Sequence, residues 1–246
     1  MSDASLALSV LVPVFNEAGN ILPLAEEVRA ALDGVCTYEL IFVDDGSSDA
    51  TAAELRTAQA DARVRVLRHE KRSGKSAALV TGFWAARAPW IQTLDGDRQN
   101  DPADVARVWK MIHAPQPAQT LGIVAGIRKR RNDGAVKWLS SRIANLVRRS
   151  LLRDDTRDTG CGFKLMRREI ALRLPYFDGM HRFLPALVRR QGFDILQIVI
   201  EDRPRVAGIS KYGFFGRLGA GTADLLGVFW LMRRSTQARA HEILRP

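Results

Sequence analysis

"YELIFVDDGSSDAT", residues 38–51, runs from an unbroken apolar stretch into two aspartates, a glycine and two serines, and then into a helical pattern over 49–60. A buried strand that ends in an acidic loop and hands over to a helix is one βα unit, and repetition of that unit defines a fold class. The unit does repeat. "ALSVLVPVF" (7–15) precedes a helix over 19–33, "VRVLR" (64–68) one over 75–87, and "WIQTLD" (90–95) one over 102–113. The pattern predicts an α/β protein with a mostly parallel sheet flanked by helices, and "GIVAGIR" (122–128) reads as a further strand. In such sheets ligands bind beyond the carboxyl ends of the strands. Three of those ends carry polar or acidic groups, "NE" (16–17), "DDGSSD" (44–49) and "DGDRQ" (95–99), and the fourth leads into the basic "KRSGK" (71–75).

The chain has 246 residues, 46% of them hydrophobic and 26% charged, enough to bury a sizeable core and too apolar for disorder. Two cysteines, Cys36 and Cys161, fit no metal-ligand spacing and no disulfide framework, which points to a reducing compartment. The opening "MSDASLALSVLVPVF" lacks a basic n-region and does not read as a signal peptide. Thirty-seven basic residues against 27 acidic give a net charge of +10, which implies an anionic partner: nucleic acid, a membrane surface or a phosphorylated substrate. The basic residues crowd into 128–153 and 203–217, so the charge belongs to the second half. No nucleic-acid-binding motif accompanies it, and acidic strand ends would face an anionic polymer, so nucleic acid is not the expected partner.

Two segments of the second half bear on membranes. "KWLSSRIANLVRRSLLR" (137–153) reads as a basic amphipathic helix, suited either to a membrane surface or to core packing with a solvated back. "LGAGTADLLGVFWLM" (218–232) is shorter than the roughly 20 residues a spanning helix needs, and Asp224 interrupts it. It reads as an interfacial helix, a helix packed on a partner, or the last core helix.

"LDGDRQNDP" (94–102) is either an acidic turn or a metal site, since such a cluster repels itself unless it is solvated or holds a cation. Two carboxylates one residue apart, Asp95 and Asp97, with Gln99 adding a neutral oxygen, suit Mg²⁺ or Mn²⁺ shared with substrate phosphates. A P-loop is excluded: "SGKS" (73–76) has His69 where that motif needs glycine. No Gly-x-Gly-x-x-Gly follows the first strand, so a dinucleotide fold is excluded too.

"VPVFNEAGNI", "IFVDDGSSDAT", "SGKSAALVTGF" and "LDGDRQNDP" follow one another in the order and spacing of the family 2 inverting glycosyltransferases, which have the GT-A fold. "AGIRKRR", "DTGCGFKLMRRE" and "RPRVAGISKYG" extend the resemblance, over residues 8–232, to the branch related to dolichyl-phosphate mannosyltransferase. The resemblance implies a catalytic domain over 1–212, with a nucleotide-sugar-binding half (1–113) and an acceptor half (114–212), followed by a C-terminal amphipathic or interfacial helical segment (213–246). It implies that Pro13, Glu17, Asp44, Asp45 and Asp95 line the pocket for a UDP- or GDP-sugar, and that Asp95, Asp97 and Gln99 hold the metal. Arg128, Arg205 and Lys211 would face the reacting phosphates with Asp97, while Arg142 and Asp158 would belong to the acceptor loop. Asp49 and Asp101 have a simpler expected role as helix caps, and Asp44 could merely hold a turn.

The implied acceptor is a polyprenyl phosphate, dolichyl or undecaprenyl. Such a phosphate is already anionic at neutral pH and needs no general base, whereas a sugar hydroxyl does. Asp158 is therefore expected to orient the acceptor loop rather than to take a proton. Cys161 is expected to pack rather than react, and His181 falls in a family-like stretch without a derivable role. Many relatives carry transmembrane helices after the catalytic domain, and this sequence shows none. It is therefore expected to lie peripherally on the inner face of the cytoplasmic membrane, alone or on a membrane partner, and to serve cell-envelope glycan synthesis. Processive synthases carry Gln-x-x-Arg-Trp, and its absence favours single transfer. The same first-half motifs would serve a family 2 enzyme acting on a hydroxyl, and a non-enzymatic basic module is the third reading.

Overall fold

The computed structural model describes residues 5–114, 120–129, 148, 150–152, 154–204 and 214–234, the last segment with side chains from 221. The first half alternates without exception: β1 (Leu8–Val14), α1 (Ile21–Leu32), β2 (Tyr38–Asp44), α2 (Thr51–Ala58), β3 (Val64–Arg68), α3 (Lys75–Ala85), β4 (Trp90–Thr93) and α4 (Pro102–Ile112). Then follow β5 (Leu121–Arg128), β6 (Lys164–Arg167), α5 (Arg168–Leu172), a 3-10 turn (Met180–Arg182), α6 (Leu184–Arg190), β7 (Asp194–Ile200) and α7 (Phe214–Arg233). Every first-half element falls within a few residues of its sequence expectation.

The seven strands form one sheet in the order β3-β2-β1-β4-β6-β5-β7. β6 runs antiparallel to both its neighbours, and all other pairs are parallel. Covered on both faces, β1 and β2 read as nearly continuous apolar runs. One face packs Val10, Val12, Leu40 and Phe42 under α1, α2 and α4, and the other packs Leu11, Ile41, Ile123 and Met166 under α3, α5 and α6. Glu39 is a buried acid at the far end of β2, and its environment is fully matched. Burial alone would raise its pKa, but Ser9 Oγ at 2.7 Å, Arg65 at 2.6 Å and the Arg87 N–H hold it below the usual carboxylate value.

The chain runs from β1 outward to β2 and β3, then returns to β4 on the other side of β1. Between β1 and β4 the connections diverge, which opens a crevice beyond the strand ends.

Of the helix expected over 137–153, the described residues Arg148 and 150–152 are helical, and the rest lies outside the described residues. α7 includes the apolar stretch expected at 218–232 and sets one side of its C-terminal part on the core, with Val228 buried and Leu225, Phe229, Leu231 and Met232 partly buried against the same cluster. Asp224, which interrupts that stretch in sequence, pairs with Arg182 at 2.7 Å. The outer side of α7 is also apolar, since Leu226 and Trp230 are 58% and 60% exposed. Among the described residues no helix is long and apolar enough to cross a membrane.

Candidate active site

The loops beyond β1, β2 and β3 are stitched to one another. The Asn16 and Glu17 N–H groups donate to Ser47 Oγ at 2.9 Å and Thr51 Oγ1 at 2.8 Å, and the Ser48 N–H donates back to Asn16 Oδ1 at 2.8 Å. Asp44 is fully buried; its Oδ1 accepts the Ser47 N–H at 2.9 Å and its Oδ2 lies 3.4 Å from Arg68. Asp45, 4% exposed, accepts the Ser73 and Gly74 N–H groups at 2.7 and 2.8 Å and meets His69 Nδ1 at 2.8 Å. Gly46 makes this closure possible. Its φ is +75°, and a Cβ there would meet the backbone of Lys71 and Arg72 at 2.9 Å. The two aspartates that the resemblance assigns to a nucleoside pocket thus build the loops around them, Asp44 through the turn it was expected to hold. Asp101 caps α4 as expected, accepting the Ala103 N–H at 2.9 Å; Asp49 accepts the Thr51 N–H at 3.0 Å from one position before the N-cap Ala50, so it braces the start of α2 without being its cap.

At the end of β4 lies a narrow cleft between Pro13 and Thr93 on one side and the 159–162 loop on the other, with Leu79 and Leu184 as its apolar walls. Its polar lining is Lys75, Asp95, Lys164 and His181, carried by α3, the β4 loop, β6 and the 3-10 turn. Lys75 Nζ donates to Asp95 Oδ1. Burial opposes both charges, but their mutual attraction outweighs it: Asp95 lies below the ordinary carboxylate value and Lys75 above the ordinary lysine value. Lys164 is the reverse case. It is 4% exposed and donates to the Cys161 and Thr159 carbonyls, and burial, together with the nearby Lys75 charge, lowers its pKa. Burial, with Lys75 and Lys164 adding to it, pushes His181 down to about 3, so its imidazole is neutral and bonds Ser76 Oγ at 2.9 Å. Burial also pushes the Cys161 thiol up to about 11, which suits the packing role expected for it.

Gly162 completes the cleft. A Cβ at this position would lie 2.3–2.4 Å from the Asp95 carboxylate, so the acid rests directly on the loop backbone. That loop is anchored by Thr93 Oγ1, which donates to the Gly162 carbonyl at 2.6 Å.

Asp97 is 7% exposed and accepts the Gln99 N–H at 3.3 Å. Gln99 Nε2 points to the Arg203 carbonyl at 3.4 Å, and the Arg203 N–H returns to the Gln99 carbonyl at 2.9 Å, so the 95–101 loop is fastened to the chain after β7. A hard cation fits this donor set. The ammonium of Lys75 already rests on Asp95 and is further stabilised by the charge of Asp97, so the two carboxylates create a place where positive charge is favoured. Among the described residues no group of three or more His, Cys, Asp or Glu side chains is placed to hold a metal alone, and substrate oxygens would complete the set.

Arg128, at the end of β5, grips Asp158 with a two-pronged ion pair, Nε to Oδ2 at 2.7 Å and one terminal nitrogen to Oδ1 at 2.9 Å. The pair raises the arginine pKa and pins the 158–163 loop to β5, beside Gly160 at the cleft rim. Arg142, Arg205 and Lys211 lie outside the described residues. Lys75 and Lys164 are the residues that sequence reasoning did not single out, and His181 is one it named without a role. Lys75 stood in the quoted "SGKS", and Lys164 in "GFKLM".

This fold and crevice define a GT-A protein. Similar solved structures include glucosyl-3-phosphoglycerate synthase from Mycobacterium tuberculosis in complex with Mn²⁺, UDP-glucose and glycerol 3-phosphate (TM-score 0.68, 19% identity, 95% of this chain and 82% of that one). Mannosyl-3-phosphoglycerate synthase from Rubrobacter xylanophilus is another (TM-score 0.69, 16% identity, 93% and 74%). The chain belongs to glycosyl transferase family 2, whose model matches residues 9–174. Among curated relatives, dodecaprenyl-phosphate galacturonate synthase of Rhizobium johnstonii is 34% identical over 93% of this chain and 68% of its own length. Undecaprenyl-phosphate 4-deoxy-4-formamido-L-arabinose transferase of Pectobacterium carotovorum is 30% identical over 87% of this chain, which spans 65% of that protein.

Proposed function

We propose that the chain transfers one sugar from a UDP- or GDP-sugar to a polyprenyl phosphate with inversion, in the cleft beyond β1 and β4. The observation that carries this reading is that the acids Asp95 and Asp158 are each held by a cation and that the imidazole of the cleft is a weak base. Asp95 is engaged by Lys75, Asp158 by Arg128, and His181, with a pKa of about 3, is too weak to take a proton from a hydroxyl. A lipid phosphate brings its own anionic oxygen. The names of the two curated relatives agree with such an acceptor.

Pro13, Glu17, Asp44 and Asp45 frame the nucleoside end, and Asp95, Asp97 and Gln99 would hold Mg²⁺ or Mn²⁺. When bound, that ion offsets charge on the departing diphosphate. Lys75 and Arg128 would face the same charge from the protein side; the family resemblance would add Arg205 and Lys211 to that role and give Arg142, with the loop held by Asp158, to the acceptor. The sugar is not fixed by the family: galacturonate and 4-deoxy-4-formamido-L-arabinose name the relatives above, and mannose names neither. The test is transfer from radiolabelled UDP- and GDP-sugars to undecaprenyl phosphate with Mn²⁺ and with EDTA. Labelled lipid formed only with the metal is expected; donor binding without any labelled lipid would move the acceptor to a hydroxyl.

Asp158→Asn should keep transfer within about tenfold of wild type, because the amide oxygen still accepts one of the two Arg128 N–H bonds while the change removes a neutral-pH base. Loss of turnover with unchanged donor and acceptor KM would make Asp158 a base after all.

A lipid acceptor places the protein on the inner face of the cytoplasmic membrane, peripherally or with a membrane partner. Leu226 and Trp230, followed by Arg233 and Arg234, give α7 an apolar outer side with a basic end. Flotation with vesicles containing anionic lipid should carry the protein upward, and Trp230→Glu should reduce the floating fraction severalfold. Protein that stays at the bottom with every vesicle would remove the membrane placement.

A further inference from the structure

Lys164 is a basic group buried without an acid of its own, and burial together with the Lys75 charge lowers its pKa. It is 4% exposed, its ammonium donates to the Cys161 carbonyl and, at 3.5 Å, to the Thr159 carbonyl, and among the described residues no carboxylate lies within ion-pair distance of it. The acid that lines the cleft, Asp95, is bound by Lys75. Two ammonium groups therefore face one carboxylate in a narrow space. Asp158, whose charge also reaches Lys164, is bound by Arg128, Cys161 keeps its proton and His181 is neutral.

The sheet does not require this charge. Lys164 sits on β6 opposite Thr93, in a register position that an apolar side chain of similar length would fill. A buried ammonium without a counter-ion is unfavourable, and a ligand that brings the anion relieves it.

We propose that Lys164 and Lys75 frame a subsite for a small oxyanion at the sugar end of the cleft, and that its occupant is the carboxylate of a nucleotide-linked uronic acid. The inference rests on the glycosyl-transfer reading above. The oxyanion has two possible sources, the donor sugar and the acceptor phosphate. Position favours the donor: Lys164 lines the same cleft as Asp95, whose charge reaches it and which belongs to the motif that would hold the donor diphosphate.

Calorimetric titration with UDP-galacturonate against UDP-galactose, and in parallel GDP-mannuronate against GDP-mannose, in Mn²⁺, reads the preference directly. Wild type should bind the uronate of one pair at least tenfold tighter than its neutral partner, the scale of one charge-assisted hydrogen bond. Lys164→Met should bring that ratio to within threefold of unity, and Lys164→Arg should restore part of it. Equal affinity of wild type for both members of each pair overturns the uronate assignment, even if the methionine variant fails to fold. A Lys164→Met variant that keeps the donor ratio but raises the KM for undecaprenyl phosphate at least tenfold assigns the oxyanion to the acceptor and likewise overturns it. No change in either quantity removes the subsite. A wild-type protein that shows the uronate preference yet labels no polyprenyl phosphate would overturn the proposed acceptor and leave the subsite standing.

Discussion

Asp97→Ala should lower sugar transfer by about a hundredfold to a thousandfold, the scale of losing one preorganised electrostatic group at a reacting centre. The variant has two possible ways to fail, and they are separable. Asp97 is buried at 7% exposure and its Oδ1 accepts the Gln99 N–H at 3.3 Å, so alanine removes both a charge and a turn contact. Asp97→Asn keeps the acceptor oxygen for that N–H and removes only the charge. If the carboxylate serves a cation and the donor diphosphate, the asparagine variant loses transfer nearly as completely as alanine, its thermal midpoint stays within a few degrees of wild type, and more Mn²⁺ is needed for half-maximal rate. If Asp97 serves the loop alone, asparagine restores the rate, and the metal reading of the "DGD" motif fails with it.

The first half of the fold was legible because each of its units announces itself twice, once by an apolar run buried on both faces and once by the polar loop that ends it. "YELIFVDDGSSDAT" contains both signals, and the structure places Tyr38–Asp44 in a strand with every residue buried. The second half lacks that redundancy. β6 has four residues, "KLMR", with charges at both ends, and its antiparallel direction depends on its pairing with β4 and β5, which no local pattern encodes. β7, "DILQIVI", does carry a strand signal in its β-branched residues, but the motif after it, "RPRVAGISKYG", starts only at 203 and is basic, so the acidic strand-end pattern of the first half does not mark it.

The site divides in the same way. Asp95, Asp97 and the cap Asp101 could be assigned from one stretch of sequence. That Asp95 would meet Lys75, 20 residues earlier, and lie against Gly162, 67 residues later, follows only from the closing of β4 on β6. Asp44 and Asp45 are the opposite case: the resemblance implies ligand contacts for them, and the structure adds loop-building bonds that a turn-forming "DDGS" also requires.

Lowering the pH from 7 to 4.5 should destabilise the protein by about 2 to 3 kcal/mol through His181 alone, measured as the shift in denaturant midpoint and slope between wild type and His181→Gln. The folded-state pKa is pushed down to about 3 by burial and then by Lys75 and Lys164, against about 6.5 for an unfolded histidine. The unfolded chain therefore takes up its proton first as pH falls, and each proton bound only by the unfolded state favours unfolding. The loss begins near the unfolded value, grows by about 1.4 kcal/mol per pH unit, and levels off near the folded value. Two units of that window lie above pH 4.5. Asp95 has the same sign but a lower window, because its folded pKa lies below the ordinary carboxylate value, so its contribution is lost only at more acid pH. Glutamine cannot take up a proton, so stability of the variant should vary less over 7 to 4.5 by the stated amount. Identical pH slopes for the two proteins would mean that His181 is protonated in the folded cleft, and with a charged imidazole the argument that the imidazole of the cleft is a weak base would have to be withdrawn.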